Sequence, residues 1–418
     1  SAAVVCLHSH RNPEHEQRLA NHLRSAGWRH VSVSSDLAPV IKVLPRAETT
    51  VVDAYLAPVM SRYLDAAERE LANGKLFVMT SAGGLVSRAD YRAKDSLLSG
   101  PAGGVVGAAM AGRQAGFERI IGFDMGGTST DVCRFDGDFD YCQTHTVGRA
   151  RLMAPALKIE TVAAGGGSIC SFDGELFRVG PESAGAQPGP ACYGAGGPLT
   201  ITDVNLLLGR LDLDSFNLPV FPDAAEDALR AAQLPHASSR EEILQGFLAI
   251  ANDRMANAIR KISVREGYDP AEYALVAFGG AGGQHACAVA ERLGMRRILF
   301  PADAGLLSAI GLKRARVERI VEKQMLIGGS RFLALGLEVL AELESSAERK
   351  LEREGVTDGE IEIRLRTALI RFAGQESVVT VDFENLAEVE SLFHQRYRET
   401  FGYVPGDREM EVVSLRVI

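Results

Sequence analysis

Apolar and polar positions at the start of the chain alternate in blocks that predict strand, helix and strand. An apolar run opens the sequence, residues 14–26 carry apolar positions at helical spacing, and residues 30–34 form a second apolar run. This order requires a parallel sheet, part of which we expect to lie outside this sequence. Residues 47–73 again show helical spacing, interrupted only by Pro58, and predict one long connecting helix.

Small residues dominate the segment that follows. Residues 97–112, LLSGPAGGVVGAAMAG, predict a helix whose backbone packs almost in contact with its neighbour. Helical spacing also covers residues 224–232 and 240–266, and residues 273–294 predict a strand, a glycine loop and a helix. A charged helix and alternating strands come later, and this shift in composition places a domain boundary near Ser330.

The predicted organisation has four segments. They are residues 1–46, the tail of an N-terminal α/β lobe; 47–117, connecting helices and a small-residue hinge helix; 118–329, a second lobe with an inserted glycine- and proline-rich loop and helices; and 330–418, a C-terminal α+β segment. Both ends of the sequence lie within strand-like runs, so we expect a fragment of a longer protein.

The stretch IIGFDMGGTSTDVCRFDG, residues 120–137, predicts two strands joined by a glycine turn. Gly126 and Gly127 remove side chains and let backbone amides approach a ligand, while the Asp124 carboxylate and the hydroxyls of residues 128–130 surround the turn. This combination suits a phosphate with its metal. An ordinary hairpin with glycines in a tight turn is the alternative, although such a hairpin needs neither the carboxylate nor the crowded hydroxyls.

Two further glycine loops follow along the chain. Residues 165–168 read GGGS in a second predicted hairpin, and residues 279–283 read GGAGG between a strand and a helix, where open α/β sheets place their ligands. The sequence contains neither a Walker GxxxxGK[ST] motif nor, at GGAGG, a Rossmann GxGxxG motif. The loop SAGAQPGPACYGAGG, residues 183–197, is typical of a segment that lines a site.

Composition narrows the class of protein. The chain has 418 residues, 46% of them hydrophobic, and a formal net charge of -9, which indicates a soluble globular protein of two or three domains and argues against nucleic acid as a partner. No apolar run reaches the roughly 18 residues of a membrane span, and no signal peptide is recognisable. The six cysteines form no CxxC pair or disulfide framework, so we expect a cytoplasmic protein that binds no membrane.

The order of these motifs resembles the second half of the actin, sugar-kinase and Hsp70 ATPase superfamily. Within it the chain resembles the hydantoinase A / 5-oxoprolinase family, which includes the acetone carboxylase beta subunit. The resemblance covers nearly the whole chain and is carried by HSHRNPEHE, ETTVVDAYLAP, LSGPAGGVVGA, GFDMGGTSTDV, VAAGGGSI, VGPESAGAQPGPACYGAGGPLTITDVNLLLGRL and FGGAGGQHACAVAERLG. The implied fold class is α/β, an RNase H-like actin/Hsp70-type ATPase lobe with flanking α+β segments.

The resemblance implies ATP and Mg²⁺ as cofactors and assigns residues to them. Asp124 would hold the magnesium through water, and Asp124 and Asp131 are the catalytic candidates. Asp203 and Asn205 are candidates for orienting substrate. The residues implied to bind the cofactor are Gly126, Gly127, Thr128, Ser129, Thr130, Gly165, Gly166, Gly167, Ser168, Gly279, Gly280, Ala281, Gly282, Gly283 and His285.

For several of these residues a structural role is the alternative. Asp131, Asp203 and Asn205 carry the polarity that hairpins and helix caps also need. His285 opens a predicted helix, where histidine often caps or packs.

Histidines near the start of the chain are closely spaced. His8, His10 and His15 fit a metal site, but the sequence favours a helix start, because Asn12 suits a cap and Glu14 suits the first helical turn.

By the same resemblance, the activity is ATP-dependent ring opening of a cyclic amide, 5-oxoproline or a hydantoin. Phosphorylation of the amide oxygen makes the ring carbon electrophilic, and Mg²⁺ with loop amides stabilises the charge on the transferring phosphate. The implied partners are the small-molecule substrate and a B-type subunit or domain, in an oligomer. The alternatives are an ATP-dependent ketone carboxylase beta subunit and a chaperone-like reactivating factor. A first phosphate loop is expected before residue 1, so this sequence holds at most half of the phosphate clamp and its fold lacks the first phosphate-loop lobe.

Overall fold

The structure, a computed structural model, divides the chain into two compact units. It describes residues 1–71, 74–148, 150–213, 219–232 and 239–418. The first unit comprises Ser1–Ser99, Tyr141–Ala156 and Ala315–Ile418, and the second comprises Gly100–Asp140 and Leu157–Arg314. Every candidate site residue named above for cofactor, substrate or catalysis lies in the second unit.

The strands of the described residues are β1 Ala2–Val4, β2 Val31–Val33, β3 Phe77–Met79, β4 Leu85–Ser87, β5 Arg119–Met125, β6 Thr130–Asp136, β7 Asp138–Phe139, β8 Tyr141–Val147, β9 Ala150–Leu157, β10 Ile159–Val162, β11 Ser168–Phe172, β12 Phe177–Ser183, β13 Ala274–Phe278, β14 Ile298–Leu299, β15 Val321–Gly328, β16 Arg366–Phe372, β17 Val379–Asp382 and β18 Met410–Val417. The α-helices are α1 Glu14–Ser25, α2 Ser34–Leu37, α3 Val43–Glu70, α4 Ser99–Gln114, α5 Ile201–Leu207, α6 Pro222–Ala231, α7 Arg240–Ile262, α8 Gly282–Arg292, α9 Leu307–Arg314, α10 Gly329–Arg353 and α11 Val389–Phe401. Among these helices, none combines the length and apolar character that crossing a bilayer requires.

A mixed sheet forms the centre of the second unit. Its strand order is β10-β6-β5-β13-β14, with β7 paired to β6. The β5–β6 and β6–β10 pairs are antiparallel, whereas β13 is parallel to both β5 and β14. The predicted α/β fold class is confirmed, and the predicted hairpin and strand–loop–helix segment are neighbours in this sheet.

The two faces of this sheet bury different helices. On β5, Ile121, Phe123 and Met125 belong to the core that includes residues of α7 and α8. Ile120 instead packs with Ala108 of α4. Because side chains along a strand alternate between faces, Asp124 shares the face of Ile120 and extends toward α4.

The first unit contains an antiparallel sheet of order β15-β18-β16-β17, covered by α10 and α11. Its core is apolar and includes Phe332, Phe372 and Phe393. A separate parallel pair, β1 and β2, packs against α1 and α3. Short β-strand pairs complete this unit.

The unit boundaries differ from the predicted ones. The C-terminal part of the first unit begins at Ala315 and not near Ser330, because β15 pairs with β18 along its length and so belongs to the C-terminal sheet. The segment Tyr141–Ala156, expected in the second lobe, also belongs to the first unit. Strand pairing distant in sequence decides the first boundary, and hydrogen bonds to α3, such as that from the Met153 amide to Thr49 Oγ1 at 2.9 Å, accompany the second. Hydrophobic patterning reports neither kind of contact.

Candidate active site

The turn between β5 and β6 forms an exposed tip of backbone amides. The Gly126 amide donates to the Ser129 carbonyl over 3.0 Å and closes the turn. Gly127 and Thr128 are exposed, and their amides donate to no acceptor in the part of the chain that the structure describes. Adjacent amides of this kind, with hydroxyls beside them, form a concavity that binds anions.

The GGGS segment lies directly behind this tip and is buried. The Gly166 amide donates to the Gly126 carbonyl over 3.1 Å, and the Gly167 amide donates to the Gly127 carbonyl over 2.6 Å. These bonds use the carbonyl side of the turn and leave its amide side open. Gly166 and Gly167 thus support the tip through their amides, and their contact with the cofactor stays a prediction.

The two outer residues of GGGS are also structural. A Cβ on Gly165 would lie 2.7 Å from the carbonyl carbon of Gly127, so a larger residue would displace the tip. Ser168 is buried, and its Oγ accepts a hydrogen bond from the Gly165 amide at 2.9 Å. Both residues therefore support the tip, and their contact with the cofactor stays a prediction.

Asp124 and Asp131 face each other across the hairpin. They are register partners in the β5–β6 ladder, so their side chains project from the same face of the sheet. Burial, followed by the negative charge of Asp131, raises the pKa of Asp124 to about 6, against a hydrogen bond from Ser308. Burial also raises the pKa of Asp131, against a hydrogen bond from Thr161 Oγ1 at 2.5 Å. The pair is thus a site that a cation would stabilise.

Glycines enclose the Asp124 carboxylate. A Cβ on Gly279, whose φ is +79°, would overlap Asp124 Oδ1, and a Cβ on Gly104 of α4 would lie 3.2 Å from Asp124 Oδ2. The Ala281 amide donates to the Met125 carbonyl over 2.9 Å and ties the GGAGG loop to the end of β5. The third glycine loop therefore lies beside the first, as the parallel β5–β13 pairing predicts.

The residues around Asp124 fit a hydrated magnesium ion. Asp124 forms no ion pair with a described cation, and Gly104 and Gly279 place no Cβ against its two carboxylate oxygens. Magnesium is usually held by one or two carboxylates, several waters and substrate phosphates, not by an all-protein cage. The described residues accordingly contain no group of three or more His, Cys, Asp and Glu side chains that could hold a metal.

The early histidines likewise belong to no such group. Helix α1 begins at Glu14 with Pro13 at the capping position, and Asn12 Oδ1 accepts from the Glu14 amide at 3.1 Å. The predicted helix start is confirmed, with the capping position at Pro13, one residue after the predicted Asn12.

Asp203, a predicted substrate residue, is a buried structural anchor. Its carboxylate accepts from the amides of Ala191 (3.1 Å), Cys192 (2.7 Å) and Thr200 (2.8 Å), and from Thr200 Oγ1 (2.8 Å). With four donors and no exposed surface, it holds the glycine- and proline-rich loop to the start of α5. The helix-cap alternative is correct for Asp203.

Thr130 is also turned away from the tip. It is buried, and its Oγ1 donates to the Ala164 carbonyl at 2.5 Å. This bond joins β6 to the residue that precedes the GGGS segment, and the cofactor contact of Thr130 stays a prediction. Thr128 and Ser129 remain the hydroxyls available at the tip.

His285 and Asn205 form a hydrogen-bonded core cluster with Asn252. His285 Nε2 lies 3.0 Å from Asn205 Nδ2, and His285 Nδ1 lies 2.8 Å from Asn252 Oδ1. All three residues are buried, and burial, followed by the charge of Arg210, lowers the pKa of His285 to about 4. Both ring nitrogens of His285 are occupied by these contacts, which supports the packing alternative for His285. The nucleotide contact of His285 and the substrate contact of Asn205 stay predictions.

We expect His285→Ala to lower the free energy of unfolding by on the order of 2 kcal/mol, because it leaves Asn252 and Asn205 unpaired in the core. Its affinity for magnesium-ATP, measured by calorimetry, should equal that of the parent. Gln284→Ala, one residue away, is the matched control and should change neither quantity. A large loss of nucleotide affinity without a loss of stability would restore the ligand role.

Three residues of the site were not singled out by the sequence. Ser308, at the start of α9, hydrogen-bonds Asp124. Thr202 donates to the Gly166 carbonyl through its amide (2.7 Å) and its Oγ1 (2.9 Å). Gly104 makes room for the Asp124 carboxylate. Each becomes recognisable only through a partner that is distant in sequence.

A glycine-tipped hairpin, a carboxylate pair beside it and a strand–glycine loop–helix crossover define an α/β lobe of the class predicted from the sequence. The sequence model of the hydantoinase/oxoprolinase family matches residues 46–321. The chain belongs to this family.

Its curated relatives are longer proteins. The chain is 37% identical to 5-oxoprolinase 1 of Arabidopsis thaliana over 99% of its length, and 34% identical to caprolactamase subunit alpha of Pseudomonas jessenii, also over 99%. It spans 35% of the first protein and 63% of the second. The chain therefore spans about a third of the 5-oxoprolinases that it matches.

Two solved structures are also longer chains that this chain matches over nearly its whole length. The crystal structure of ATP-dependent caprolactamase from Pseudomonas jessenii superposes with a TM-score of 0.86 at 32% identity, covering 100% of this chain and 64% of that one. The nucleotide-free structure of acetone carboxylase gives a TM-score of 0.74 at 24% identity, covering 99% and 63%. The second likeness establishes the fold alone.

Proposed function

We propose that this chain is the nucleotide-binding part of an ATP-dependent hydrolase of cyclic amides. The observation that carries the proposal is the open β5–β6 tip, whose amides at Gly127 and Thr128 donate to no acceptor among the residues that the structure describes. The likeness to the ATP-dependent caprolactamase supports the same class of reaction. The substrate is a lactam such as 5-oxoproline or a hydantoin.

Each loop has one role in this proposal. The amides of Gly127 and Thr128 and the hydroxyl of Ser129 donate to phosphate oxygens, and Gly280 and Gly283, both exposed, lie along the adenosine. Mg²⁺ beside Asp124 neutralises charge on the phosphates when it is bound. Asp124 and Asp131 supply the negative field that orients the hydrated cation.

The chemistry follows from the stability of an amide. The lactam carbonyl oxygen bonds to the γ-phosphorus of ATP, and the bond from that phosphorus to the bridging oxygen of ADP breaks. Water then adds to the activated ring carbon, and the ring C–N bond breaks to leave an amine and an acyl phosphate. A second water hydrolyses the acyl phosphate to a carboxylate and free phosphate. Donors fixed at the tip stabilise charge that grows on the phosphoryl oxygens during the first step.

We further propose a B-type partner subunit and a cytoplasmic location. The matched caprolactamase chain is a subunit alpha, which fits an assembly of unlike subunits, and the cysteines of this chain are thiols, which fits a reducing compartment. Ketone carboxylation and a chaperone-like reactivating role are the competing functions. No contact in the described residues favours either of them.

The experiment is a paired measurement on the full-length protein with its partner subunit. Magnesium-ATP binding is followed by calorimetry, and release of ADP is followed with 5-oxoproline, hydantoin, caprolactam or acetone plus bicarbonate as substrate. We expect nucleotide binding and ADP release coupled to ring opening of at least one cyclic amide. Absence of nucleotide binding overturns the ATPase assignment, and ADP release with acetone plus bicarbonate alone overturns the amide-hydrolase assignment.

Ser308→Ala tests whether the hydrogen bond from Ser308 controls the pKa and the activity of Asp124. Loss of the Ser308 hydrogen bond should lower kcat by about 10-fold and move the acidic limb of the pH profile to higher pH, because that bond opposes the raised pKa of Asp124. Kinetics from pH 5 to 9 measure both effects. Ser171→Ala on the exposed surface of β11 is the control, and an unshifted profile in Ser308→Ala contradicts the role.

A further inference from the structure

A small cavity lies between the strand β10 and the helix α7 of the second unit. β10 is the outermost strand of the central sheet. The cavity has a volume of about 270 Å³ and is lined by residues 160–163 and by Arg254, Asn257, Ala258 and Lys261 of α7. These four helix residues follow the i, i+3, i+4, i+7 spacing of a single helix face. An edge strand and one face of a helix thus form the two walls.

Arg254 brings an unpaired positive charge to this cavity. Its side chain is partly buried, and it forms no hydrogen bond or ion pair with any residue that the structure describes. A Cβ added to Gly180 would lie 3.5 Å from Arg254 Nη1 and 3.1 Å from the Ala163 carbonyl oxygen. The guanidinium therefore lies at the end of the cavity that Ala163 forms. Glu182, two residues after Gly180, is exposed and makes no ion pair with Arg254.

The other carboxylates of this region are bound to other cations. Glu160, the acid in the cavity lining, pairs with Lys261 at 2.5 Å. Asp253, the residue before Arg254, pairs with Arg292 at 2.6 Å. The positions one helical turn away from Arg254 on α7 carry no acid. Because a charge withdrawn from water gains from an opposite charge, the cavity favours an anion beside Arg254.

Two neutral donors accompany the guanidinium. Asn257 Oδ1 accepts from Arg260 Nη1 at 2.8 Å, so the side chain of Asn257 keeps its Nδ2 group as a donor. The Ala163 amide donates to no acceptor in the described part of the chain. One positive charge with neutral donors matches the single charge of a carboxylate better than the nearly double charge of a phosphate.

The cavity is separate from the carboxylate pair of the candidate active site. Thr161 Oγ1 donates to Asp131 at 2.5 Å, whereas Val162 packs against the core that includes residues of α7. Successive side chains of a strand project from opposite faces of a sheet. Asp131 and the α7 wall therefore lie on opposite faces, and a ligand held against α7 leaves the hairpin tip free. The inference goes beyond the proposed function and does not depend on it.

We propose that Arg254, Asn257 and the Ala163 amide form a binding site for a small organic monocarboxylate. The planar guanidinium accommodates the two carboxylate oxygens, and Asn257 and Ala163 add donors to them. The apolar part of the ligand lies on Val162 and Ala258. A volume of about 270 Å³ equals the space of roughly nine waters in the liquid, which suits an acid of a few carbon atoms and excludes a nucleotide.

The test compares butyrate with butyramide, which keeps the shape but lacks the charge, by saturation-transfer NMR titration of the full-length protein. Butyrate should bind with a Kd of about 1 mM, and butyramide about 10-fold more weakly or worse. Arg254→Gln should weaken butyrate binding by about 10-fold or more, and Asn257→Ala by about 3-fold. Arg265→Gln, at an exposed arginine of the same unit outside the cavity, is the matched control and should change nothing.

The alternative results are distinct. Equal binding of butyrate and butyramide, or unchanged butyrate binding in Arg254→Gln, overturns the site, as does the absence of butyrate binding to the parent. Inorganic phosphate that binds more tightly than butyrate and is lost in Arg254→Gln overturns the carboxylate assignment. Where Arg254→Gln fails to fold, Asn257→Ala decides. ATP turnover enters none of these measurements, so failure of the proposed function leaves the result intact.

Discussion

Asp124→Asn is expected to lower ATP-dependent turnover by about 100-fold or more and, at the same time, to raise the Tm of the protein without nucleotide and magnesium. Asparagine keeps the size of the side chain but removes the charge that would hold the hydrated cation. It also removes the repulsion of Asp131 and the cost of burying an ion, which together raise the pKa of Asp124 to about 6. Activity and stability should therefore change in opposite directions.

The pH dependence of this stabilisation has a defined sign. The folded-state pKa of about 6 lies above the ordinary 3.8, so the ionised carboxylate destabilises the folded protein above pH 6, and that cost disappears as the pH falls below 3.8. The difference in Tm between Asp124→Asn and the parent should thus be full at pH 7 to 8 and vanish near pH 4. Thermal unfolding followed by circular dichroism at several pH values measures it.

Asp303→Asn is the matched control, because Asp303 is an exposed carboxylate of the same unit. It should change neither turnover nor Tm beyond experimental error. A lower Tm in Asp124→Asn at pH 8, or full turnover in that variant, would contradict the assignment. Asp124 would then not be a cation-binding carboxylate whose ionisation destabilises the folded protein.

Local sequence predicts the hairpin site well because its residues are neighbours in the chain. The turn between β5 and β6 fixes the ladder register, so the pairing of Asp124 with Asp131 follows once the glycine turn is recognised. The strand–glycine loop–helix segment is likewise local. Its place beside the hairpin follows from the rule that parallel strands end at one edge of a sheet.

Side chains with distant partners could not be assigned in this way. Asp203 looks like a substrate ligand until Ala191 and Cys192 are found to donate to its carboxylate. His285 looks like a nucleotide contact until Asn205 and Asn252, from two other helices, occupy its nitrogens. Sequence reports residue type and spacing but not which loop folds back onto a polar group, so structural and ligand roles remain alternatives.

The sequence also does not show which glycines are exposed and which are buried. Gly127 is exposed at the tip, whereas Gly165 and Gly166 are buried beneath it, although all three lie in glycine runs between strands. The difference arises from the packing of one turn against the other. A glycine run thus predicts close backbone approach, and the structure decides whether the approaching group is the protein itself or a ligand.

Gly311→Ala is expected to produce a large loss of stability from the addition of a single methyl group. A Cβ at Gly311 would overlap the carbonyl oxygen of Gly103 and lie 2.6 Å from the amide nitrogen of Gly107. Both atoms are backbone atoms of α4, so neither can rotate away as a side chain would. We expect the free energy of unfolding to fall by about 3 kcal/mol or more, measured by urea denaturation.

The matched control makes the same chemical change in an open position. Gly246 lies inside α7 with nothing within 4 Å of its added Cβ, so Gly246→Ala should stabilise the protein by about 0.5–1 kcal/mol through helix propensity. Opposite signs at the two glycines would show that contact between α4 and α9, and not the loss of glycine itself, sets the cost.

Because Ser308 and Gly104 lie on these two helices beside Asp124, Gly311→Ala should also lower turnover in the fraction that remains folded. Equal, small effects at both positions would mean that the helices separate without cost, and the close packing that positions Ser308 against Asp124 would then not be required.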